Sequence, residues 1–150
     1  MKGERKIKPS VDEILEEEKF HLTNDKFIAF KNRTVGSKID LYTLLNPLNR
    51  RGRIGAIGAP SRASTLVSYV GLNEDILDFV LETKGSTKIG HYMPGTKIPI
   101  LEETPERLSS VDTLLLLSWH IADELVPKIR AKGFKGKFIA PLPTARYLDI

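Results

Sequence analysis

"RIGAIGAPSRASTLVSYVG", residues 53–71, decides the fold. Residues 53–59 form a short apolar run of strand type. Gly58-Ala59-Pro60-Ser61 then reads as a turn. Ala63, Leu66, Val67 and Val70 follow at i, i+3, i+4 and i+7, one face of a helix. Gly71 stops that helix, because glycine takes the left-handed C′ conformation without steric cost. Strand, tight turn and helix are the opening of a nucleotide-binding unit. The glycines, however, are spaced Gly55-x-x-Gly58, not G-x-G-x-x-G, so the usual dinucleotide fingerprint is missing.

Downstream, strand and helix alternate. Strands are expected at residues 76–82, 98–101, 113–118 and 137–142. The third of these holds four consecutive leucines, as a strand buried on both faces does. Thr104 can cap a short helix that starts at Pro105, Glu106 and Arg107. Residues 120–132 read as helix, with Ile121, Leu125 and Ile129 in register, and Pro127 is expected to kink or restart it. Strands joined by helical crossovers imply a parallel sheet. The expected fold is therefore α/β and Rossmann-like. Its mostly parallel five-stranded sheet has order 3-2-1-4-5, flanked by helices.

Upstream, residues 1–52 read as a helical N-terminal arm to the α/β part at 53–150, the two forming one structural domain. Ser10 and Glu13 have capping-box spacing before Val11, Ile14, Leu15 and Phe20. A second amphipathic stretch runs from Asn24 to about Leu45, and Asn46 and Pro47 are expected to end it. The net charge of +4 lies wholly in residues 1–53, which hold 12 Lys/Arg and 8 Asp/Glu. A nucleic-acid surface would want more charge with interleaved aromatics, so the excess reads as solvated surface and no nucleic-acid partner is expected. There is no cysteine, which excludes disulfides and thiolate metal sites, and three scattered histidines have no metal-ligand spacing. No apolar run is long enough to span a membrane, and the charged start is no signal peptide. A cytoplasmic location follows as an expectation.

In open parallel sheets ligands sit beyond the C-terminal strand ends, where the strand order reverses. The assumed order brings Gly58, Ala59, Pro60 and Ser61 to one crevice with Ser118, Trp119 and His120. The helix start behind Pro60 offers N–H groups and a favourable dipole to an anion. Ser61, Ser64 and Thr65 add hydroxyls, and Arg62 adds a fixed positive charge. A phosphate or pyrophosphate fits this turn, though a glycine turn after a strand is also a common structural device. Glu82 stands where a ribose-binding acid would, and equally where a solvent-facing strand end would. Residues 83–97 form a long loop carrying His91 and Tyr92. His91 is either a base or phosphate donor, or an exposed loop histidine. Trp119 either stacks on a ligand or packs under the helix that follows. No residue set stands out as catalytic.

Four ordered motifs carry a family resemblance. They are Gly58-Ala59-Pro60 after the first strand, "PGTKIPI" at 94–100, Trp119 after the leucine strand, and "PLP" at 141–143. With these the chain resembles the C-terminal domain of bacterial sugar C-methyltransferases, enzymes that methylate a nucleotide-linked deoxysugar. The resemblance implies that the loop with His91, Tyr92, Pro94, Gly95 and Thr96, together with Trp119 and His120, closes over a nucleotide-diphosphate sugar or similar phosphorylated small molecule. Two departures bear on recognition. The family tends to have Asp-x-Asn-Pro after strand two, where this chain has Glu82-Thr83-Lys84-Gly85, and Asn where it has His120.

In the family the methyl donor, S-adenosylmethionine, binds a separate α/β domain, which carries the proposed catalytic residues. Such domains run to about 100–150 residues. The 52 residues ahead of the first strand read as helical and leave no room for one. The expectation is a substrate-binding domain that binds no cofactor itself and works with a methyltransferase domain or subunit. The competing readings are an NAD-type dinucleotide-binding module and a non-catalytic interaction domain.

Overall fold

The computed structural model describes residue 3 and residues 6–148. It divides into two compact units, Met1–Gly36 and Ser37–Ile150. The first holds helix α1, Pro9–His21, and the first half of helix α2, Asn24–Asn49. Two differences from expectation appear here. Helix α1 starts one residue before Ser10, with Lys8 as N-cap and no side-chain cap. Pro9 needs no N–H in the first turn, so it takes the start and leaves Ser10 inside the helix. Helix α2 also continues through Pro47 to Asn49. A proline this near a helix end forfeits one hydrogen bond, to the Thr43 carbonyl, and the last turn survives.

The second unit is built on one six-stranded sheet of order β3-β2-β1-β4-β5-β6. Its strands are β1 Ile54–Ile57, β2 Val80–Glu82, β3 Ile100–Glu102, β4 Thr113–Leu116, β5 Lys137–Ala140 and β6 Arg146–Leu148. The first five are parallel and in the expected order. Strand β6, absent from the sequence reading, pairs antiparallel to β5. It is three residues long with two of them exposed, so no run of apolar residues marks it. Strand β2 is shorter than expected, although Asp78 N–H already bonds the Ile54 carbonyl at 2.9 Å.

Side-chain alternation explains the leucine run. Leu115 and Leu117 enter one core with Ile54, Ala56 and Ile139. Leu114 and Leu116 enter the other with Ile57 and Phe138. A strand residue and its neighbour point to opposite faces, so a strand covered on both sides is apolar throughout. The first core is closed by α3, Ser61–Val70, and by Leu41 and Leu45 from the end of α2. The second is closed by α4, Pro105–Ser109, and α5, Ala122–Ala131. Helix α5 runs continuously through Pro127 with no restart, after a separate 3-10 turn at Trp119–Ile121. Thr104 caps α4 as expected, accepting from Arg107 N–H at 3.4 Å. The backbone N–H of Glu106, and then the Thr104 hydroxyl, hold the Glu106 carboxyl below its usual range.

Candidate functional site

The crevice lies where β1 and β4 release their chains. The Ile57 carbonyl accepts from Leu117 N–H at 3.0 Å, and Gly58 N–H donates to the Leu81 carbonyl at 2.8 Å. Gly58 is thereby held between the ends of β2 and β4. Its φ of +81° suits only glycine, and a Cβ there would run into the Ser118 side chain. The turn after β1 and the segment after β4 therefore touch, as the strand order requires. A cleft of about 250 Å³ opens here, lined among others by Gly58, Pro60, Glu82, Lys88, Glu103 and Ser118.

Arg62 joins the two segments on the outside. Its Nη2 lies 3.0 Å from His120 Nε2, and its guanidinium carbon 5.8 Å from the Trp119 ring centroid. A guanidinium only donates, so His120 Nε2 is the acceptor in this pair. Trp119 is half-buried, while Arg62 and His120 are exposed. Among the described residues, no hydrogen bond takes up the N–H groups of Ser61 and Arg62 at the head of α3. The Ser64 hydroxyl is committed to the Ser61 carbonyl at 2.7 Å, and Thr65 is exposed on the helix.

Glu82 is turned inward. Its Oε1 accepts Ala59 N–H at 2.6 Å, with the side chain only 14% exposed. Lys88, missed in the sequence, donates to the Ala59 carbonyl at 2.6 Å and stands 3.8 Å from Glu82. Both polar groups of the Ala59 backbone are thus engaged by residues from β2 and the loop behind it. A second pair in the same region was also missed: Glu103, its side chain 4% exposed, meets Lys132 at 2.5 Å. Neither lysine stands out among the many charged residues of the chain.

The loop before β3 does not behave as expected. His91 and Tyr92 are exposed, and Tyr92 makes an antiparallel bridge with Pro99. Pro94, Gly95 and Thr96 do not reach the crevice. A Cβ at Gly95 would lie 3.6 Å from Ser68 Oγ, near the far end of α3. Thr96 Oγ1 turns onto the Met93 carbonyl at 2.9 Å, and Lys97 N–H donates to Glu74 Oε2 at 3.2 Å. That bond, after the Glu74 N–H itself, holds the Glu74 carboxyl below its usual range. Gly95, Thr96 and Lys97 line a separate depression of about 610 Å³ with Ser68, Gly71 and Glu74. The reason is topological. Because β3 is parallel to β2, the chain must return to the starting edge of the sheet before β3 begins. Residues just ahead of β3 therefore lie at the edge opposite the Gly58 turn.

A mostly parallel sheet with this crevice at its C-terminal edge defines a Rossmann-like α/β domain. The chain belongs to the C-methyltransferase C-terminal domain family, whose model matches residues 1–143. It is also similar to the C-methyltransferase NovU of Streptomyces niveus, with 29% identity over 155 aligned residues. That alignment covers 98% of this chain and 36% of NovU, so the chain spans little more than a third of the relative's length. No described helix is long and apolar enough to cross a membrane.

Proposed function

We propose that this domain holds the substrate of a C-methyltransferase, a nucleotide-diphosphate sugar or a similar phosphorylated small molecule. The observation that carries this reading is the meeting of Arg62, at the head of α3, with Trp119 and His120 beyond β4. The two free N–H groups at that helix start and the Arg62 charge suit a phosphate. The Trp119 ring offers an amphipathic surface to a base or sugar. The chain's part is to bind and orient; S-adenosylmethionine would sit on a separate domain or subunit. The glycine spacing speaks against the dinucleotide alternative, and one carboxylate oxygen of Glu82 already accepts Ala59 N–H.

Trp119 is the sole tryptophan, so its emission reports on this crevice alone. Titration with a nucleotide-diphosphate sugar is expected to change that emission along a saturable curve. Arg62→Ala removes a charge-assisted hydrogen bond of about 1.5–3 kcal/mol, so affinity falls roughly tenfold or more. No saturable change, or an affinity untouched by Arg62→Ala, would overturn this reading. Calorimetry with S-adenosylmethionine alone is expected to show no specific binding, and micromolar binding would defeat the division of labour.

A further inference from the structure

The helical unit carries apolar surface with no interior to receive it. No residue of α1 is buried, and Phe20, Phe27 and Phe30 are 79%, 54% and 61% exposed. Two grooves concentrate this surface. One, of about 500 Å³ on α1, exposes Leu15 and Leu22 and is rimmed by Asp12, Glu16, Glu18 and Lys19. The other, of about 540 Å³ at the start of α2, exposes Phe27 and Phe30 and is rimmed by Lys26 and Arg33, with His21. The first rim has three carboxylates against one ammonium, and the second has two cations and no carboxylate.

We infer that this face is closed by a second copy of the chain, in a two-fold dimer that sets the acidic groove of each α1 against the basic groove of the other copy's α2. Two-fold pairing needs a surface complementary to itself. Apolar floors and rims of opposite charge on one unit meet that need. Burying aromatic side chains supplies the association energy, and the rims fix which helix faces which. This inference is independent of ligand binding in the crevice.

A charge-exchange experiment tests it. Glu16→Lys with Glu18→Lys makes both rims basic, whereas Lys26→Glu with Arg33→Glu makes both acidic. Light scattering on a sizing column should give the native chain twice its 16.8 kDa mass. Each double variant alone should run as a monomer with native helix content by circular dichroism. Their equimolar mixture should regain the dimer mass, because each α1 then meets an α2 of opposite charge. Raised salt should weaken the dimer restored in the mixture. A native chain that stays monomeric at about 100 µM, where interfaces of even modest affinity are populated, would overturn the inference and leave the face to a different protein. Variants that stay dimeric alone, or a mixture that stays monomeric, would overturn the pairing of acidic with basic groove.

Discussion

The two units spend the same kind of residue differently. In the α/β unit apolar side chains disappear into two cores on either side of one sheet. In the helical unit residues of the same type, at comparable spacing, are exposed on the single chain. The difference shows that hydrophobic periodicity identifies a helix face without saying what covers it. Helix α3 has a sheet to lie on and buries Ala63, Val67 and Val70. Helix α1 has the same i, i+3, i+4 pattern at Val11, Ile14 and Leu15 and buries none of them.

Substitutions that remove the same group from each unit sharpen this contrast. The largest effect is expected in the sheet. Phe138 is fully buried and stacks edge-on against Phe134 at 5.0 Å, with the Arg130 guanidinium 4.6 Å from its centroid. Phe138→Ala should cost about 3–5 kcal/mol in denaturant unfolding. Phe20→Ala, on the exposed face of α1, should stay within about 0.5 kcal/mol for the monomer. Equal losses would mean that the helical unit has an interior of its own in solution.

A smaller effect separates the ion pairs. Lys132→Met strands the nearly buried Glu103 carboxylate and should cost about 1–3 kcal/mol. Lys19 pairs with Glu16 at the same 2.5 Å, but both side chains are about 70% exposed. Lys19→Met should therefore leave unfolding of the monomer unchanged, since water already solvates both groups. A cost for Lys19→Met matching that of Lys132→Met would erase the contrast between buried and exposed pairs.

Much of the α/β unit was legible. The leucine run, the Gly58 turn and the Thr104 cap each depend on residues within a few positions of one another. The parallel order followed from helices lying between strands. It correctly brought Gly58 beside Ser118, which are 60 positions apart. The same topology also required residues 94–96 to lie at the far edge, a consequence the family motif obscured. Strand β6 was not legible, since an exposed three-residue edge strand has no apolar pattern.

By itself, then, the sequence determined the periodic elements, their order in the sheet and the glycine at the crevice turn. Those follow from local sterics, from which face is apolar, and from the handedness of the crossovers. Only the tertiary structure decided that Glu82 bonds Ala59 N–H, that Lys88 reaches the same residue's carbonyl, and that Glu103 finds Lys132. Many carboxylates and ammonium groups in this chain could pair, and pattern cannot choose among them. The choice falls to distance and burial, because a charge withdrawn from water needs a partner within hydrogen-bond reach, and only the assembled sheet brings one there.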